Sequence, residues 1–159
     1  DKKHELILEA FSDLIKLRQG VHLVFAGNRE SSDATKIKFD RINDIIISKG
    51  LEKNITLISE VAIEKVLTML DVGLLISKIE GMPNAVMEYM LYELPVIASN
   101  HLGCVNLLRD SDFLIRNERK TLLTKMISLY DSVELRTIIK NFTKEKYMKG
   151  LADIMEKYV

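Results

Sequence analysis

The sequence predicts a doubly wound α/β domain, in which a parallel sheet is covered by helices on both faces. Two observations carry this. Hydrophobic periodicity switches repeatedly between a helical repeat of about 3.6 residues and short apolar runs. Those runs carry no Asp, Glu, Lys or Arg, as strands buried on both faces require. With 159 residues and no break in composition, positions 1–159 read as a single domain without internal repeats.

The elements follow in order. Leu6, Ile7, Ala10, Phe11, Leu14 and Leu17 form a helical stripe that ends toward Gly20, a residue suited to a left-handed stop. His22 to Ala26 is a short β-branched and aromatic run bounded by Gly20 and by Gly27-Asn28, which predicts a strand leading into a loop. Ile37, Ile42, Ile45 and Ile46 mark a second helix up to Gly50, and Ile55 to Ile58 a second strand. The alternation continues with a helix around Ile63 to Met69, a strand at Val72 to Ile76, a helix from about Asn84 to Tyr92 and a strand at Pro95 to Ala98. A helix near Val105 to Leu108 and a strand at Phe113 to Ile115 come next. Helical patterns then run through Leu122, Met126, Leu129, Leu135, Ile138 and Phe142, and an amphipathic pattern through Leu151, Ile154, Met155 and Tyr158 closes the chain. Domains of this class open on a strand, whereas this sequence opens on a helix, so a leading strand is expected upstream.

Composition narrows the function. The 23 basic and 23 acidic residues are interleaved, so there is no basic field for a nucleic acid to meet. No apolar stretch approaches the roughly 20 residues that span a bilayer. The single Cys104 forms no intrachain disulfide, which points to a reducing compartment and a cytoplasmic location. His4, His22 and His101 lack the spacing of a shared metal site, and Asp110-Ser111-Asp112 reads as turn chemistry, so no metal ligand is predicted. His22 is expected to pack within its strand. Cys104 is expected as a small buried hydrophobe with no evident histidine partner, the nearby His101 being only loosely placed by its loop.

In open parallel sheets ligands bind beyond the carboxyl ends of the strands, which singles out the loops Gly27 to Arg29, Ser59 to Ala62 and Ser77 to Asn84. The third is the richest in chemistry. It carries Glu80, Gly81, Met82, Pro83 and Asn84 and runs into a helix holding Glu88. Pro83 suits a helix start, where its missing N–H costs nothing. Free backbone N–H groups and the positive pole of that helix predict an anion site. Carboxylates on either side of it, able to accept from hydroxyl pairs, suit a ligand with polyols flanking a diphosphate. A nucleotide sugar has that shape.

The segment Glu80-Gly81-Met82-Pro83-Asn84-Ala85-Val86-Met87-Glu88 resembles the Glu, seven residues, Glu motif of the group 1 glycosyltransferases, retaining enzymes of GT-B architecture with Rossmann-like domains. The resemblance extends over nearly the whole chain, through KKHELILEAF, LVFAGN, LDVGLLIS, ELPVIASN and the final FTKEKYMKGLADIMEKY. It implies the C-terminal, donor-binding domain of such an enzyme. Glu80 would then contact donor-sugar hydroxyls, Glu88 the ribose, and the backbone of Gly81 to Asn84 the sugar and diphosphate. Lys2, or Lys3 by a one-residue shift, would pair with the diphosphate beside an arginine on the leading strand. The base would lie near Val61, in the loop Ser59 to Val61, with the Gly27 loop adjoining. The donor would be UDP- or GDP-linked, no separate cofactor would be needed, and a glycan or lipid-linked acceptor would be held by an N-terminal domain. The expected role is polysaccharide or cell-surface glycan biosynthesis, with the full-length protein peripheral to the inner face of a membrane. Gly103-Cys104-Val105-Asn106 departs from the family's Gly-Gly followed by Pro-Glu, and Ile76 replaces a proline common before Ser77. Two rival readings keep the same nucleotide site: a GT-B nucleotide-sugar 2-epimerase, and a non-catalytic nucleotide-binding or assembly module.

Overall fold

Helix α1 (His4–Leu17) follows directly from its stripe: Ile7, Leu8, Ala10, Phe11 and Leu14 are buried together and form much of the core. It stops at Leu17, three residues before the left-handed Gly20, at φ 72°. In this computed structural model residues 2–108 and 112–132 are described, so Asp110, Ser111 and the helical patterns beyond position 132 lie outside it. Strand β1 (Leu23–Gly27) pairs in parallel with β2 (Ile55–Ser59), in the register Leu23 to Ile55 through Gly27 to Ser59. Between them a single 3₁₀ turn (Arg29–Ser31) leads into α2 (Asp33–Ser48), capped by Ser32, whose side chain accepts from the Thr35 N–H. Gly50, at φ 64°, turns the chain back toward β2.

Helix α3 (Ile63–Leu67) precedes β3 (Gly73–Leu75), and α4 (Asn84–Leu91) connects β3 to β4 (Val96–Ser99). Helix α5 (Leu102–Leu108), β5 (Leu114–Ile115) and α6 (Arg119–Asp131) complete the described chain. Strands β3, β4 and β5 form a second parallel ladder in that order. The α/β class and parallel pairing therefore stand as predicted, but the hydrogen-bonded ladder is interrupted: β1–β2 and β3–β4–β5 are separate. Helices α1 and α6 pack against each other across the core, with Leu122, Met126 and Leu129 of α6 buried. Exposed ion pairs between Arg18 and Asp131 and between Arg119 and Asp13 join their ends, and water screens both. No described helix is long and apolar enough to cross a membrane.

Candidate functional site at the carboxyl ends of the strands

Because every strand pair is parallel, the loops after β1, β2, β3 and β4 emerge on one side. The end of β3 is held by a closed ring of hydrogen bonds. The Ser77 N–H donates to Ser99 Oγ at 2.9 Å, Ser99 Oγ donates to Asn117 Oδ1 at 2.5 Å, and Asn117 Nδ2 donates to the Ser77 carbonyl at 2.6 Å. Ser77 and Ser99 are buried polar residues at the ends of adjacent strands, and satisfying both within the ring avoids the desolvation penalty of about 1–3 kcal/mol per unpaired group. His101 Nε2 lies 2.9 Å from Ser77 Oγ, while its buried Nδ1 has no partner among the described residues. Of these four residues sequence reasoning reaches only Ser77, as the start of its loop, and assigns none of Ser99, Asn117 and His101 to the site. For Ser77 and Ser99 the available signal is a small polar residue closing an apolar run.

The loop after Ser77 is of opposite character. Glu80 is half-buried, Met82 is 72% exposed, and neither the Glu80 nor the Glu88 carboxylate has a hydrogen-bond partner among the described residues. Pro83 is buried and caps α4, one position before the first helical residue. The expected set of free N–H groups needs correction. Asn84 donates to the Met82 carbonyl at 3.0 Å, and Val86 and Met87 donate to Pro83 at 2.9 and 3.3 Å, because the chain enters α4 through a tight turn. The N–H groups of Gly81, Met82 and Ala85 are unengaged among the described residues, so an anion would meet these rather than Asn84. Glu88 lies on α4 beside Tyr89, whose phenol is pushed up by burial and further by the Glu88 charge.

Gly103 packs α5 against this loop. A Cβ there would sit 2.7 Å from the carbonyl oxygens of both Glu80 and Gly81, so only glycine permits the approach. Cys104 is buried as predicted, yet it does have a histidine neighbour: His101 Nε2 is 3.7 Å from its Sγ, because the two stand three positions apart at the start of α5. Burial, and after it the Glu80 charge, pushes the thiol up to about 11. It is held as the thiol, which is not the nucleophilic form.

Lys2 is exposed and forms an isolated antiparallel bridge with Ser77, while the Lys3 N–H donates to the Ile76 carbonyl at 2.8 Å. The start of the chain is thus beside the Ser77 loop, and Lys2 and Ala26 line one cavity with Ile76. Gly27 and Ser59 are register partners, so the loops following β1 and β2 are neighbours. They are joined by the Arg29 N–H donating to Ser59 Oγ at 3.1 Å. Val61 is 48% exposed, just after Glu60, whose φ of 58° turns the chain sharply. The Arg29 guanidinium is held by Asp40 at 2.7 Å and Glu30 at 3.0 Å. His22 is exposed just ahead of β1, with Nε2 2.8 Å from Thr56 Oγ1, rather than packed within the strand.

The family of glycosyl transferases group 1 matches residues 1–146. No curated protein matches at significant similarity. Among solved structures, a TarM variant of S. aureus in complex with fondaparinux, α-GlcNAc-glycerol and UDP superposes with a TM-score of 0.73 at 22% identity, over 96% of this chain and 32% of that one. HepE of Anabaena, in complex with UDP and glucose, gives 0.73 at 15% identity, over 98% and 45%. The C-terminal domain of LpcC from Francisella tularensis gives 0.72 at 20% identity, over 99% and 80%. The chain therefore spans about a third to under half of the first two.

Proposed function

The chain belongs to the glycosyl transferases group 1 family, and from that premise we propose that it binds a nucleotide-diphosphate sugar for retaining transfer to a glycan or lipid-linked acceptor. The observation that carries this reading is the Glu80 to Glu88 segment, where two carboxylates flank the N–H groups of Gly81, Met82 and Ala85, all without hydrogen-bond partners among the described residues. In this reading the diphosphate lies against those N–H groups. Glu80 accepts from the sugar hydroxyls and Glu88 from the ribose. Lys2 reaches the diphosphate from the neighbouring edge, and the base lies toward Gly27 and Val61.

Transfer breaks the bond between the sugar and the diphosphate, so negative charge grows on the departing phosphate oxygen. Oriented N–H groups and the Lys2 ammonium stabilise that charge without reorganising. The ring of Ser77, Ser99 and Asn117 fixes the strand end from which the loop springs, as a preorganised site requires. The acceptor would be held by polypeptide beyond this domain. Two of the structural relatives carry UDP, which makes UDP and UDP-sugars the first probes. Calorimetric titration with UDP, GDP and a panel of their sugars should show at least one nucleotide sugar binding more tightly than its free nucleotide. Absence of binding to every member of the panel by the full-length protein would sink the reading.

A further inference from the structure

Asn117 is an exposed residue just past β5, outside all three of the loops that face a ligand. Both ends of its amide are nevertheless spent on the protein. The Ser77 carbonyl can only accept, so the amide nitrogen must face it, at 2.6 Å. That leaves the amide oxygen to the Ser99 hydroxyl proton at 2.5 Å, and turns a lone pair of Ser99 Oγ toward the Ser77 N–H at 2.9 Å. Only one arrangement of protons satisfies the ring, and it fixes the peptide planes on both sides of Ser77. Those two planes set the direction in which the chain leaves β3. Glu80 stands three residues on, up to about 10 Å away at roughly 3.3 Å per residue, so a tilt of about 10° at Ser77 would carry it off by about 1.7 Å. That exceeds the spread of distances over which a hydrogen bond forms. Gly103 lets α5 lie against the Glu80 and Gly81 carbonyls, a contact that blocks movement toward α5 but not away from it.

Glu88 has a separate anchorage. It rides on α4, whose Val86 is fully buried and whose Tyr89 ring covers Gly73 so closely that a Cβ there would lie 2.3 Å from it. The Tyr89 hydroxyl also reaches the Leu74 carbonyl at 3.4 Å. The two carboxylates of the candidate site are therefore held by different means, one through the hydrogen bonds of the ring and the other through the packing of a helix on β3. We propose that Asn117 is a positioning residue for the sugar half of the site. By holding the Ser77 carbonyl and, through Ser99, the Ser77 N–H, it aims Glu80 and so sets the preference for a nucleotide sugar over its free nucleotide, without touching either. The ribose half, on α4, does not depend on it. This rests on the donor reading above and deepens it, since it makes the end of β5 a determinant of specificity.

Binding of UDP, GDP and their sugars to the full-length protein tests it, with Asn117→Asp beside the parent. The substitution keeps the shape and still accepts from Ser99, but it sets a carboxylate oxygen against the Ser77 carbonyl where a donor stood. The advantage of the nucleotide sugar over its free nucleotide should fall about tenfold, the worth of one charge-assisted hydrogen bond, while the free nucleotide binds within about twofold of the parent. Asn117→Gln, which sets the amide one methylene too far out, should do the same. In the ligand-free variants, amide order parameters should fall from Ile79 to Met82 and stay high from Val86 to Met90. Equal losses for both ligands, or unchanged discrimination in a folded variant, overturn the proposal and leave the donor reading standing. So does lost discrimination with the Ile79 to Met82 amides as ordered as in the parent, which would mean that Asn117 meets the ligand itself. Unfolding of both variants makes Asn117 a stability residue and likewise overturns it. A parent that binds no nucleotide sugar sinks the donor reading, and the proposal with it.

Discussion

Ser77 and the five residues from Glu80 to Asn84 lie on the same loop yet differ in almost every physical respect. Ser77 is fully buried, and its N–H, carbonyl and hydroxyl all have partners. Three residues later, the Glu80 carboxylate and the N–H groups of Gly81 and Met82 have no hydrogen-bond partner among the described residues. The difference separates two jobs that a binding loop must do. The Ser77 ring spends its polar groups on the protein and fixes the position of the loop. The Glu80 segment leaves its own for a ligand. A site with only the second kind would have the right groups in uncertain places.

Disturbing the packing of α5 on the Glu80 segment should have the largest effect. In Gly103→Ala the new methyl meets backbone oxygens of Glu80 and Gly81 at 2.7 Å, and backbone cannot step aside as a side-chain tip can. A loss of about 3 kcal/mol in urea denaturation is expected, the upper end of typical overpacking costs. Unchanged stability would show that α5 does not hold the loop.

Removing a ligand-facing group should weaken binding and leave the fold intact. Glu88→Ala is expected to cost about 2 kcal/mol with both the nucleoside diphosphate and the nucleotide sugar, as for a lost charge-assisted hydrogen bond. Glu80→Ala should spare the diphosphate and abolish the extra affinity of the intact sugar donor. Calorimetry with both ligands separates the two, and equal losses for both variants would refute the assignment of sugar and ribose ends.

Acid should act on the β1 side, through His4. The His4 imidazole is lowered to about 4, first by burial and then by the Lys2 charge, and it stacks edge-on against Phe25 at 5.4 Å. Its ordinary value is 6.5, so the unfolded chain takes up this proton first as pH falls. The contribution of His4 is therefore complete above pH 6.5 and lost progressively toward pH 4. His4→Phe should flatten the stability profile in that window, and a profile as steep as the parent's would remove His4 as the cause. The smallest effect is expected from Met82→Ala, whose side chain is 72% exposed and should change stability by less than about 0.5 kcal/mol. A larger loss would mean that the open loop is packed after all.

The order and kind of the elements, and the Glu80 to Glu88 segment with its flanking carboxylates, were legible in the sequence because they are written locally. A helix stripe repeats within a few residues, an apolar run is continuous, and glycine and proline act where they stand. Tertiary structure alone decided the rest. Ser77, Ser99 and Asn117 meet through bonds between residues 22, 18 and 40 positions apart, which no local pattern encodes. The His101–Cys104 contact, three positions apart at the start of α5, is by contrast local. Which N–H groups stayed unengaged was set by the turn at Pro83, and the interruption of the sheet by which strands found neighbours. Periodicity shows that a residue is in a strand and which face it prefers, whereas hydrogen-bonding edges are settled by whatever lies alongside.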